Sequence, residues 1–204
     1  MKIADILKNN RVTVSFEVFP PKEWSKIENT KAVIAEMAKS KPAFMSVTYG
    51  AAGTRTGFTT EIAQAIKENG ITPLSHLTCL TSTKDKIDDV LNEWKATGIE
   101  NILALRGDIP DGFEFPSDQH FHHASELVSE IKSNGDFCVG AACYPEIHPE
   151  SANRVEDINH LKEKVDCGVD FLTTQMFFDN DVFLRFKENC LIKGINAVSY
   201  THLT

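Results

Sequence analysis

Glu17 is the lone acid in an otherwise strand-like run, Val12–Lys22, VTVSFEVFPPK. A carboxylate near the end of a buried strand is costly unless it is paired or used. Held there, a carboxyl can serve as a general acid near neutral pH. The competing reading is an edge-strand glutamate facing water. Arg106-Gly107-Asp108 directly follows the apolar run NILAL at Asn101–Leu105. Arg106 can clamp a phosphate or carboxylate through two parallel hydrogen bonds. Gly107 lets the backbone bend close to a ligand. Asp108 places a negative charge suited to stabilising a cation or accepting ring N–H groups. A structural Arg–Asp pair in a surface loop explains the tripeptide equally well.

Tyr144–Pro149, YPEIHP, is a loop stiffened by two prolines, which can hold Tyr144 and His148 for stacking and hydrogen bonding or simply turn the chain. His76 ends an apolar run with Thr78 behind it, and a single such histidine is more often structural than catalytic. His120, His122 and His123 form HFHH, the most metal-like cluster, but they lie in a polar loop with Asp118 and lack the spacing of a zinc site. No metal is therefore expected. Lys162–Lys164 reads as a solvated helix face from which Lys164 can reach a phosphate.

These residues need elements to position them, and the chain alternates strand and helix signals. Val12, Val14, Phe16 and Val18 alternate with Thr13, Ser15, Glu17 and Phe19, the two-residue period of a strand, and Pro20-Pro21 ends it. Further strands are expected at Phe44–Tyr49, Ile71–Leu77, Asn101–Leu105, Phe137–Cys143 and Phe171–Gln175. Helices are expected at Thr60–Asn69, Lys84–Thr97, Ala124–Asn134, Asp157–Cys167 and Val182–Lys193. The clearest is Lys84–Thr97, where Ile87, Val90, Leu91 and Trp94 mark one face. Gly70, Gly98, Gly135, Gly168 and Gly194 stand at the helix-to-strand joints, where a left-handed C-cap is expected.

Apolar strands alternating with amphipathic helices imply a parallel sheet covered by helices, either doubly wound or a (β/α)8 barrel. Almost every strand ends in a chemically useful residue: Glu17, Thr48-Tyr49, His76, Arg106-Asp108, Tyr144 and Gln175. A barrel gathers its active site at those ends. A nucleotide-binding open sheet would carry a Gly-rich loop after its first strand, and VFPPKEW has none. The reading is therefore an α/β, TIM-type barrel. It counts six strands and a stub of a seventh, so the barrel is incomplete: 204 residues against the roughly 250 of a typical barrel. Residues 1–204 form one domain, with 197–204 an atypical tail.

Composition removes some classes. The net charge of -8 argues against a nucleic-acid partner. No stretch approaches the roughly 20 apolar residues of a membrane span, and MKIADILKNN lacks a signal peptide's apolar run. The five scattered cysteines read as reduced thiols of a cytoplasmic protein.

Six segments, in order, resemble the methylenetetrahydrofolate reductase family in its bacterial single-domain form: FEVFPPK at Phe16–Lys22, SVTYGA at Ser46–Ala51, HLTC at His76–Cys79, ALRGDIP at Ala104–Pro110, YPEIHPE at Tyr144–Glu150 and TQMFFD at Thr174–Asp179. The likeness runs from about Val12 to Asn196. It implies a flavin-carrying barrel in which NAD(P)H reduces FAD and the reduced flavin converts 5,10-methylenetetrahydrofolate to 5-methyltetrahydrofolate, with ping-pong kinetics. It also implies one-carbon metabolism, a cytoplasmic location and a homo-oligomer. By position, Glu17 resembles the family's general acid, Asp108 the acid near the flavin that also contacts the pterin, and Gln175 the folate-orienting amide. Thr48, Tyr49, Ala51, His76, Arg106, Gly107, Asp108, His123, Tyr144, His148, Asp157 and Lys164 match positions that hold FAD.

The departures are a less polar Ala52–Thr56, His123 where an aromatic is common, and Val169 where a small residue is usual. The segment Ala197–Thr204, AVSYTHLT, matches nothing expected of the family, and a C-terminal truncation is expected. Two alternatives stand beside the reductase. One is a non-catalytic flavin-binding fragment. The other is a metal-dependent barrel hydrolase using His76, His148 and the HFHH loop. The hydrolase would want an H-x-H at the end of the first strand, and Val14–Phe19 contains no histidine.

Overall fold

The structure, a computed structural model, describes residues 1–9, 12–49, 56–109 and 117–201; of residues 56, 57 and 198–201 only the backbone is described. Seven strands form one parallel sheet: β1 (Ser15–Val18), β2 (Phe44–Val47), β3 (Pro73–Thr78), β4 (Asn101–Leu105), β5 (Cys138–Cys143), β6 (Phe171–Thr174) and β7 (Val198–Thr201). The helices are α1 (Ile3–Leu7), α2 (Ile27–Ala38), α3 (Thr56–Glu68), α4 (Lys84–Thr97), α5 (Ala124–Asn134), α6 (Arg154–Asp166) and α7 (Asn180–Ile192).

The spatial order β1-β2-β3-β4-β5-β6-β7 repeats the chain order. A doubly wound sheet reverses direction partway along its strand order. This sheet never does, which is how a barrel winds. The fold is α/β, with seven of the eight strands of a (β/α)8 barrel among the described residues. β7 lies within the segment that the sequence set apart as a tail, yet Val198–Thr201 pairs in parallel register with Phe171–Thr174.

Strand side chains alternate between two cores, as the pleat requires. Met45, Val47, Leu77, Ile102, Ala104, Val139, Ala141, Cys143 and Leu172 face the helices and pack with Ile62, Ile66, Leu91, Trp94 and Ile131. Phe44, Leu74, Leu103, Cys138 and Phe171 face the other way, into the barrel. There they meet Ile3 and Ala4 of α1, so α1 closes the end of the barrel at which the strands begin. Asn101, 1% exposed, ties it down: its Oδ1 accepts from Ile3 N at 2.8 Å, and its Nδ2 donates to the Met1 and Pro73 carbonyls at 3.1 and 3.2 Å.

The elements expected from periodicity form within a few residues of their predicted ends. The sequence did not reveal α1 or α2. α2 buries only Ile34 among its residues and leaves Val33 exposed, so its apolar stripe is thin. One expectation is corrected. Gly70, Gly98, Gly168 and Gly194 are left-handed, but Gly135 has φ 163° and is extended, because the chain runs straight from α5 into β5.

All five cysteines are free, and Cys79, Cys138, Cys143 and Cys190 are buried. Burial pushes the Cys79 and Cys143 thiols up to about 12. Among the described residues no helix is long and apolar enough to cross a membrane.

Candidate active site at the C-terminal ends of the strands

The open end of the barrel, opposite α1, collects most of the residues singled out from sequence. Glu17 lies on β1 in register with Ser46 of β2, and Ser46 is in register with Leu74 of β3, two residues before His76. Period-two alternation turns all three side chains inward. Ser46 Oγ donates to Glu17 Oε2 at 3.3 Å, and His76 Nε2 stands 3.6 Å from the same oxygen. Ser46 and His76 are buried, and the Glu17 side chain keeps 17% exposure. Glu17 thus sits on the edge strand of the described sheet, but its side chain points inward and keeps only part of its exposure. It is a partnered, partly exposed carboxylate.

Thr48 follows β2 and is tied through its backbone, its N–H donating to Val18 O at 3.1 Å and its carbonyl accepting from Thr59 Oγ1 at 3.2 Å. Tyr49 turns the other way. Its ring is buried in the helix-facing core, with its hydroxyl 3.4 Å from Ser82 Oγ, and burial raises its pKa. Ala51 lies outside the described residues, as do Ala52–Arg55 of the less polar loop.

Beyond β4, the Arg106 carbonyl accepts from Cys79 N at 3.2 Å and Leu80 N at 3.1 Å, joining two neighbouring loops. Gly107 has φ 85°, and a Cβ there would stand 3.0 Å from Thr78 Cβ, so the close approach of these strand ends requires glycine. The Arg106 guanidinium does not pair with Asp108. It makes a two-pronged contact with Glu150, with Nη1 2.6 Å from Oε2 and Nη2 on Oε1. This pairing raises Arg106 further and holds Glu150 below the usual carboxylate range. Asp108 is exposed. Its charge adds to burial in raising the Tyr144 phenol, which puts it on the Tyr144 side of the mouth.

The loop after β5 is built from specific contacts beside its two prolines. Tyr144 and His148 meet edge to face at 4.6 Å and 79°. Ile147 takes φ 80°, a strained conformation for a β-branched residue. Buried Asp157 holds the loop: its Oδ1 accepts from His148 N at 3.3 Å and Ser151 Oγ at 3.0 Å. Asp157 thus shapes the loop that carries Tyr144 and His148. Lys164, on the same helix, donates to the Ala142 carbonyl at 2.8 Å, and burial lowers its pKa against the opposing pull of Cys143 and Asp157. Its ammonium is therefore not on a solvated face. Gln175 is exposed just past β6, its N–H donating to Cys143 O at 2.7 Å.

The HFHH loop touches this constellation through His123, which lies close enough to Glu150 to help hold its carboxyl low. His120 Nδ1 meets Ser117 Oγ at 3.1 Å, His122 Nε2 meets the Ser117 carbonyl at 3.3 Å, and His123 is exposed at the start of α5 without capping it through its side chain. Glu150, Ser46 and Ser82 are the members that sequence reasoning missed. Glu150 sat inside the quoted YPEIHPE but carried no sign of its partner 44 residues away.

The family model described as methylenetetrahydrofolate reductase matches residues 2–199. The chain is 38% identical over 188 residues to 5,10-methylenetetrahydrofolate reductase of Escherichia coli (strain K12), covering 92% of this chain and 62% of that protein. The corresponding protein of Pectobacterium carotovorum subsp. carotovorum gives the same identity and coverage. A probable methylenetetrahydrofolate reductase (NADH) of Oryza sativa subsp. japonica is 37% identical, covering 96% of this chain and 35% of that one. The chain thus spans about 62% of the length of the bacterial relatives it matches. Among solved structures, oxaloacetate acetylhydrolase superposes with a TM-score of 0.64 at 10% identity, covering 98% of this chain and 78% of that one. For 2,3-dimethylmalate lyase the TM-score is 0.63 at 8% identity, with 98% and 77% coverage. Likeness at that identity speaks to the fold alone. With the sheet order, the strand-end constellation and the match over residues 2–199 in agreement, the chain belongs to the methylenetetrahydrofolate reductase family.

Proposed function

We propose that this chain carries the catalytic barrel of a flavin-dependent reductase that converts 5,10-methylenetetrahydrofolate to 5-methyltetrahydrofolate, with NAD(P)H as reductant and FAD as the intermediate carrier in a ping-pong cycle. The observation that carries this reading is Glu17, held inside the barrel by Ser46 and beside His76 while still partly exposed. Its role is to protonate the ring nitrogen that departs as the five-membered ring of the folate opens. Asp108, exposed at the mouth, sets a negative charge against the cation that opening leaves on the folate. Gln175, on the neighbouring rim, orients the pterin through its amide.

The residues present fit a flavin dinucleotide. Gly107, lacking a side chain, lets the ends of β3 and β4 close up against Thr78 at the mouth and leaves its own backbone accessible there. Tyr144 and His148 offer an aromatic wall. Lys164, a half-buried cation resting on a neutral carbonyl, suits a pyrophosphate. Thr48, His76 and Arg106 at the strand ends, Asp157 on α6 and His123 near Glu150 complete the set. FAD, when bound, supplies the hydride chemistry. A cytoplasmic location and a homo-oligomeric assembly belong to the same reading.

The test uses a chain extended to the length of its relatives. It purifies yellow, and its two half-reactions are followed by stopped flow. Glu17→Gln keeps the size and hydrogen bonding of the acid but not its proton. Flavin reduction by NADH stays near normal, and the folate half-reaction slows by about 10²–10⁴-fold. Equal slowing of both halves would make Glu17 structural, and a colourless folded protein that FAD cannot reconstitute would remove the flavin.

A further inference from the structure

The contact between Glu17 and His76 has a role that cofactor binding alone does not give it. Three successive strands each send one side chain to the same point: Glu17 from β1, Ser46 from β2 and His76 from β3. Both neighbours converge on one oxygen, Oε2, at 3.3 Å for Ser46 Oγ and 3.6 Å for His76 Nε2. All three residues lie within strands, so the barrel wall sets their spacing, and no loop has to move to bring them together. The imidazole is enclosed, with its side chain 10% exposed. On its other side, β4 presents Leu103 in register with it. Among the described residues, the neighbouring strands bring Glu17 to one side of it and aliphatic Leu103 to the other.

We propose that His76 is a positioning residue for Glu17 and the group that returns its proton. This rests on Glu17 being the acid. In each turnover Glu17 gives one proton to the departing folate nitrogen and is left as a carboxylate. The imidazolium of His76 then transfers its Nε2 proton to Glu17 Oε2, and neutral His76 takes a replacement proton from water at the mouth. One proton is consumed per turnover, as the addition of hydride plus proton to the substrate requires. Ser46 holds the carboxylate oxygen in place through the exchange. A separation of 3.6 Å is longer than a hydrogen bond. Catalytic contacts of this kind are commonly long before substrate binds and shorten in the complex.

The experiment uses the holoenzyme of a chain extended to the length of its relatives. The two half-reactions are measured separately for wild type, His76→Gln, His76→Ala, Glu17→Gln and the double variant Glu17→Gln/His76→Ala. Expected for His76→Ala is a folate half-reaction slowed by about 10–100-fold, a part of what general acid catalysis supplies. Measured per bound flavin, so that any weakened FAD retention is removed from the comparison, flavin reduction by NADH slows by a smaller factor than the folate step, and the folate KM changes little. Added imidazole restores the folate step of His76→Ala but not that of the double variant, and the double variant is no slower than Glu17→Gln alone.

A second readout needs no turnover. The infrared carboxyl band found by difference between wild type and Glu17→Gln shifts in His76→Gln, because its neighbour has changed. Equal slowing of both half-reactions by His76 variants, additive losses in the double variant, or an unshifted carboxyl band would each overturn the proposal. A normal folate step in Glu17→Gln would instead remove the acid itself, whatever His76 does. If His76→Ala does not fold, His76→Gln and the infrared band decide.

Discussion

Gly140 offers the sharpest structural prediction. It sits in β5, its neighbour across the sheet is Phe171 of β6, and the ring of Phe171 lies over it inside the barrel. A Cβ built at Gly140 would stand 2.4 Å from Phe171 Cζ, 2.6 Å from Cε2 and 3.0 Å from Cε1. Ordinary carbon–carbon contact is about 3.5–4.0 Å, so the ring must retreat by roughly an ångström. It has nowhere easy to go. Phe171 is 0% exposed and packs with Ile3, Phe44, Leu74 and Leu103. Overpacking of this kind costs about 1–3 kcal/mol. Replacing a strand glycine returns about 0.5–1 kcal/mol of backbone entropy.

A 2.4 Å clash with an enclosed ring belongs in the upper half of that range, about 2–3 kcal/mol, so Gly140→Ala should destabilise by about 1–2.5 kcal/mol net, or lower Tm by about 2–10 °C for a domain of this size. Urea and thermal melts of the extended chain measure it. Phe171→Leu in the same background should relieve part of the loss, giving a coupling of about 1 kcal/mol in a double-mutant cycle. A Gly140→Ala protein within about 0.5 kcal/mol of wild type, the ordinary range of a neutral substitution, would refute the packing argument. So would strict additivity with Phe171→Leu.

Glu150→Gln breaks the two-pronged contact with Arg106, but both side chains are partly exposed, at 31% and 62%. Solvent-screened pairs contribute little, so the melting free energy should change by less than about 1 kcal/mol, and a loss above twice that would show that the contact holds the mouth together. Lys164 has its pKa lowered from 10.5 by burial, so the unfolded chain binds more protons than the folded one between the lowered value and 10.5. Stability relative to Lys164→Met should then rise as pH climbs through that window. A wild-type-minus-variant difference that is flat or falling with pH in thermal melts would contradict the burial of this ammonium.

The elements of the barrel were largely legible in the sequence because each obeys a local rule. α4 shows its buried face as Ile87, Val90, Leu91 and Trp94, and all four are in the core. The strand ends carried the functional types, and six motifs in series identified the family without a coordinate. Where local rules were weak, the sequence was silent. α2 buries one residue, and α1 is five residues long, stabilised by Asn101 and the inner apolar ring rather than by its own periodicity. Val198–Thr201 reads as an unmatched tail until β6 supplies its hydrogen-bonding partner.

The pairings among site residues belong to tertiary structure alone. Arg106 stands two residues from Asp108 in sequence, yet it pairs with Glu150 of the loop after β5, 44 residues away. Tyr49 stood among the cofactor residues, and the strand's two-residue period turns it into the outer core. Residue types and their order along the chain determined which chemistry was possible. The parallel register of β1, β2 and β3 decided that Glu17 meets Ser46 and His76, since only side chains on the same face of adjacent strands can converge on one oxygen.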